Sequence, residues 1–340
     1  MKNRSSINPG FTVVGCVIAG SCAKLCRAVL IVMTVIALES RTAAANDDEK
    51  KMSTADLIKA FESPDASCRT RALSQLGLMG SREDVKAAIP SLVKLLKDPD
   101  RDVLGMAVVV LGIYPTEAKQ AVPDFLKLMT DTQQRGDTRF LALEMLKKTG
   151  AEAKQVVPSL IEMLSVRHRN PRITVTAIHI EKLGPDELRI VAADTLGDYG
   201  PAAKDAVPSL IEVLKRRGET FEMRIAVARA LGEIGPGARE AVPVLLEALQ
   251  DNTMNLRDDA ADALGRIGPE ARSAVPALIA AMKDKDRGVR YAAIRALGAI
   301  GPDAKAAIQP LQNALADKDV GIRGAARDAL KKIAPNTMKP

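Results

Sequence analysis

No tryptophan occurs in the 340 residues, and the aromatic share is only 2%. Binders of single-stranded nucleic acid need aromatic faces on which bases stack, so composition excludes that class of partner. Cysteine is nearly as scarce, and three of the four, Cys16, Cys22 and Cys26, fall near the N-terminus. That leaves Cys68 alone in the body of the chain, which rules out a disulfide framework. Cys68 stands in an apolar position just before Arg69 and is expected to be a buried small hydrophobe. The two histidines, His168 and His179, are eleven residues apart, with no cysteine nearby and no H-x-x-x-H spacing. Neither a metal site nor any other cofactor is expected, and no catalytic residue is assigned.

The N-terminal 45 residues differ from the rest. Lys2, Arg4, Lys24 and Arg27 precede an apolar run from Ala28 to Leu38, and Ala43-Ala44-Ala45 follows before an acidic stretch. A basic region, an apolar segment and a small-residue site in that order read as a secretory signal peptide cleaved after Ala45. Phe11 to Gly20 is also apolar, so the alternative is a membrane anchor across residues 11–38, with Lys24 and Arg27 at its middle. The expected location is secreted, periplasmic or cell-envelope, or else membrane-anchored through this segment. Removing residues 1–45 takes away five basic residues and Glu39, so the formal charge falls from +7 to +3, with 44 basic and 41 acidic residues. The basic balance of the whole chain is therefore no argument for nucleic acid.

Beyond a short linker at 46–52, the chain is periodic. A proline preceded by Val or Ile recurs at Pro90, Pro123, Pro158, Pro208, Pro243 and Pro276, and once more at Pro310 after Ile-Gln. The steps between them are 33, 35, 50, 35, 33 and 34 residues. A period of this size means that one supersecondary unit is stacked many times, because no single copy buries its own apolar face. In the clearest copy, Val289, Ala292, Ala293, Ala296, Leu297 and Ile300 form the stripe of an amphipathic helix, here called A. Gly301-Pro302 stops it, as Gly200-Pro201, Gly235-Pro236 and Gly268-Pro269 do elsewhere. A second helix, B, opens near the periodic proline, and the residue before that proline, as at Val275, is expected to break from α geometry.

The pattern Val-Arg, Ala-rich helix, Leu-Gly-x-Ile-Gly-Pro, Ala-Val-Pro-x-Leu-Ile, Asp-x-Asp resembles the HEAT repeats, in particular the short phycobilisome-lyase type. It stands nearly complete at Met223 to Asp251, Leu256 to Asp286 and Val289 to Asp319, and more loosely at Cys68 to Asp131 and Leu188 to Leu214. The resemblance implies an all-α, right-handed α-solenoid of stacked antiparallel helix pairs over residues 53–334, followed by a tail at 335–340. About seven full repeats are expected, with a lone helix B at Ser53 to Glu62 and a lone helix A at Ile322 to Ile333. The family pattern also carries an Asp eight residues and an Arg fourteen residues after its proline. Asp251, Asp284 and Asp317 are accordingly expected to bond toward Arg257, Arg290 and Arg323 as a structural ladder.

Two places depart from the pattern. The 50-residue step carries an insertion near 166–186 that holds both histidines, and an insertion at a repeat junction is a common place for partner contact. Asp259 stands where other copies place Ala226, Ala292 and Ala325, so its carboxylate is either open to water or specifically paired.

A solenoid fold does not by itself name an activity. Deoxyhypusine hydroxylase uses this family's repeats with His-Glu pairs, and neither His168 nor His179 precedes a Glu. The expected function is a non-enzymatic scaffold whose helix B row lines the concave side and binds an unidentified protein or peptide. The alternative is a lyase-type enzyme or accessory subunit of the same family, acting on a protein-bound cofactor. Core positions of helix B fall two, three and six residues after the proline, so the fourth residue faces outward. That row reads Lys59, Lys94, Lys127, Glu162, Glu212, Glu247, Ala280, Ala314. The six charged members, with His168 and His179, are the candidate partner-binding residues.

Overall fold

The computed structural model describes residues 52–165 and 185–335. The leader expected at 1–45, His168, His179 and nearly all of the expected insertion lie outside the described residues. The described residues from Thr54 onward form one compact unit. Among the described residues there is no strand, and no helix is long and apolar enough to cross a membrane.

The described chain alternates B and A helices. Helix α1 (Thr54–Ala60) is a lone B helix. Seven A–B pairs follow: α2 (Ala66–Met79) with α3 (Arg82–Leu95), α4 (Arg101–Leu111) with α5 (Val122–Thr130), α6 (Gly136–Lys148) with α7 (Ala153–Ser165), and α8 (Pro185–Asp198) with α9 (Val207–Lys215); then α10 (Phe221–Ile234) with α11 (Val242–Ala248), α12 (Met254–Ile267) with α13 (Val275–Ala281), and α14 (Arg287–Ile300) with α15 (Ile308–Ala314). Helix α16 (Val320–Ile333) closes the array as a lone A helix. Each helix packs mainly on its neighbours in the chain and on the equivalent helix of the next repeat, and one core runs through the stack.

Three local devices repeat. The A helices α10, α12 and α14 end at Gly235, Gly268 and Gly301, whose φ angles of 72°, 74° and 77° lie in the region glycine alone enters cheaply. A 3-10 turn then leads into helix B. The break expected before the proline is not there: Val275 is α-helical at φ −51°, ψ −47°, and the chain bends earlier, at Ala271 with φ −91°, ψ 18°. Proline needs no donor at the start of a helix, and burial of the Val275 side chain holds a backbone conformation that proline only disfavours. The Asp-x-Asp motif opens the next A helix. Asp284 Oδ1 accepts the Asp286 amide at 2.8 Å, and the Asp286 carboxylate caps α14 through the amides of Gly288 and Val289.

The A helices from α8 onward touch closely because small residues face one another. Gly232, Gly265 and Gly298 lie against Ala263, Ala296 and Ala329, and a Cβ added at any of the three would come within 2.9 Å of the facing Cα. Lys147 on α6 takes the place of that glycine, and α6 and α8 touch along much less of their length. Its ammonium lies 2.6 Å from Asp198 of α8 and 3.7 Å from the buried Glu144, whose carboxyl burial pushes up. Cys68 is exposed, contrary to expectation, and its thiol donates to Asp65 Oδ2 at 3.3 Å. The equivalent residues Val103, Leu188, Met223, Leu256, Val289 and Ile322 are all buried. Cys68 belongs to the first A helix of the described residues, and among those residues no earlier A helix covers the position.

Candidate functional site

Each B helix lies beside the next B helix or beside the 3-10 turn that leads into it, so the fourth residue after each proline forms a row across the array. Lys59, Lys94, Lys127, Glu162, Glu212, Glu247 and Ala280 are all exposed in it. Ala314 is half-buried and does not belong. Helices α13 and α15 are offset by 33 residues, which makes Asn313 the counterpart of Ala280, and Asn313 is exposed. Pro310 lies one residue late because Gln309 intervenes after Ile308.

A second column runs beside the first. Ile58, Val93, Leu126, Ile161, Ile211, Leu246 and Ile279 are partly buried against the core and leave part of each side chain open. The B face is therefore an apolar ridge flanked by a charge series of three lysines followed by three glutamates. Among the described residues none of those six charged side chains forms an ion pair, although ion pairs are abundant elsewhere on the array. An unpaired, ordered charge series keeps its full electrostatic capacity for a partner.

The expected Asp–Arg ladder exists in another form. Arg257 Nη1 donates to the main-chain oxygen of Asp251 at 2.9 Å, and Arg290 and Arg323 do the same to Asp284 and Asp317 at 3.0 and 2.7 Å. Two of the three carboxylates, those of Asp251 and Asp284, are engaged from the preceding repeat, while Asp317 Oδ1 accepts the Asp319 amide. Arg257 reaches Asp284 with Nε at 2.9 Å and Nη2 at 3.0 Å, and Arg224 reaches Asp251 at 2.7 Å. Arg69–Asp98 at 2.8 Å and the two-pronged Arg189–Glu219 contact at 2.8 and 3.0 Å extend the same device. Sequence reasoning missed these two pairs, whose signal was an acidic residue 29 or 30 positions after each arginine. The Arg257 hydrogen bonds hold the Asp284 carboxyl below its ordinary range. Arg290 has no such carboxylate partner; Arg287 pairs with Asp319 instead at 2.5 Å.

Asp259 is neither open to water nor tightly paired. Its side chain is half-buried, and its contact to Arg229 Nε is 3.8 Å, beyond hydrogen-bonding distance. Burial pushes the carboxyl up to about 6, against the pull of Arg229, while Asp258, Asp262 and Asp194 add to the rise. A pKa raised on folding contributes stability that is full below the ordinary carboxylate value and lost as pH rises through about 6. Asp259→Ala is thus expected to stabilise the protein by about 1–2 kcal/mol at pH 8, with the gain fading toward pH 4. Urea denaturation at the two pH values measures this, and a loss of stability at pH 8 contradicts it.

Paired helices stacked in register around one continuous core define an α-solenoid, a class that works through extended surfaces. The HEAT-repeat family model matches residues 54–147, 179–265 and 242–331, and the chain belongs to the HEAT-repeat family. The crystal structure of an engineered protein is 25% identical and aligns over 82% of this chain and 77% of that one, with a TM-score of 0.54. Kap121p bound to Ste12p is 14% identical, covers 82% of this chain and 37% of that one, and has a TM-score of 0.47. No curated protein matches.

Proposed function

We propose that this protein is a non-enzymatic scaffold of an exported or envelope compartment that binds a protein partner along its B face. The observation that carries this is the row of six exposed charged residues, ordered by sign, without ion pairs among the described residues, and beside a half-open apolar ridge. Apolar contact supplies affinity and the ordered charges set register. A nucleic acid backbone fits poorly, because three of the six charges are acidic. The compartment rests on residues 1–45 alone, and a mature mass beginning at Asn46 is its test.

Two charge-reversed variants test the surface. One carries Lys59, Lys94 and Lys127 changed to Glu, and the other Glu162, Glu212 and Glu247 changed to Lys. Both should fold with little change in melting temperature, because the six side chains are exposed and make no ion pairs. Each is expected to lose partner affinity by about tenfold or more in capture experiments. If both remain folded and neither loses binding, the B face is not the surface and the 166–186 region becomes the candidate.

A further inference from the structure

We propose that the occupant of the B face is an extended peptide with an acidic half over Lys59, Lys94 and Lys127 and a basic half over Glu162, Glu212 and Glu247. The inference rests on the B-face reading and adds the conformation and charge order of the ligand. Neighbouring packed helices are about 8–10 Å apart. A polyproline-II chain advances about 9 Å in three residues, and it completes one turn in those three. Each repeat therefore meets the same face of such a peptide. One side chain in three falls beside the charged row, and another falls on the ridge formed by Val93, Leu126, Ile161, Ile211 and their equivalents.

An α-helix fits this row less well. At 1.5 Å per residue it covers the same distance in about six residues, which at about 100° each fall roughly 120° short of two full turns. From one B helix to the next a different face of the helical ligand therefore meets the row, and its charged side chains turn away from it. An extended ligand needs no such correction. The change of sign between Lys127 and Glu162 falls between neighbouring B helices, so the ligand must change sign within about three residues.

Synthetic peptides test this with the full-length chain. The probes are (Glu-Pro-Val)3-(Lys-Pro-Val)3, its block-swapped form, and an alternating (Glu-Pro-Val-Lys-Pro-Val)3 of identical composition, followed by fluorescence polarisation. One blocked peptide should bind about tenfold or more tightly than the alternating peptide, with affinity falling as salt rises. A variant with all six charges reversed should prefer the opposite block order. Equal binding of all three peptides, or none, overturns the extended-peptide inference. If the triple reversals still lose captured partners, the B-face reading survives that failure. A salt-dependent dimer of the chain itself, abolished by either triple reversal, assigns the face to a second copy and overturns the proposal.

Discussion

Gly265→Leu is expected to destabilise the array by about 3 kcal/mol or more, whereas Gly324→Ala should stabilise it by up to about 1 kcal/mol. Both glycines lie inside A helices, where glycine costs about 1 kcal/mol relative to alanine. They differ in what a side chain would meet. A Cβ on Gly265 would lie 2.8 Å from Ala296 Cα, a main-chain atom of the next A helix that no rotamer change can move aside. A Cβ on Gly324 meets nothing within 4 Å. Leucine at Gly265 must push α14 away from α12 and open the core on both sides. Urea denaturation of the two variants decides the matter; a Gly265→Leu protein as stable as the parent means that the two helices are not in contact there.

Arg257→Met should cost about 3 kcal/mol, against about 1 kcal/mol for Arg290→Met at the equivalent place one repeat later. The Arg257 side chain is 7% exposed and donates to the Asp284 carboxylate and to two main-chain oxygens. Arg290 donates to main-chain oxygens alone. Removing Arg257 leaves a shielded carboxylate without its guanidinium, and that is the costly part of the change. The Asp284 carboxyl is depressed on folding, so its contribution is present above the ordinary carboxylate pKa and is lost as pH falls through the folded value. The gap between the two variants should narrow below about pH 4. Equal losses at pH 7 would show that the carboxylate adds nothing to the junction.

The helix pairs and the unpaired helices Thr54–Ala60 and Val320–Ile333 were legible in the sequence because local chemistry sets them. Gly-Pro stops, apolar stripes and Asp caps act within one or two turns. Features that depend on neighbouring repeats were less legible. Arg257 follows Asp251 by six residues and precedes Asp284 by twenty-seven, which together span one 33-residue period. From sequence alone, a contact within a repeat and one across a junction look alike. Among the described residues Cys68 lacks the preceding A helix that covers its counterparts in later repeats, and no property of the residue itself encodes that difference. The charged row was readable up to Ala280, after which a single additional residue before Pro310 moved Ala314 off the face and brought Asn313 onto it.

Stacking one repeat on the next is a head-to-tail operation with no closure, the geometry that in separate molecules produces filaments. Something must stop the growth. Glycine at positions 232, 265 and 298 admits a further A helix, whereas α16, the last A helix among the described residues, carries Lys331 at the equivalent place. Inside the array, Lys147 sits at such a junction with two carboxylates beside it, from Glu144 and Asp198. Lys331 lies 3.6 Å from Asp328 of its own helix, and a second molecule docking there would have to bury that charge. A second copy meeting α16 thus faces a charge-burial cost that the glycine junctions inside the array do not impose.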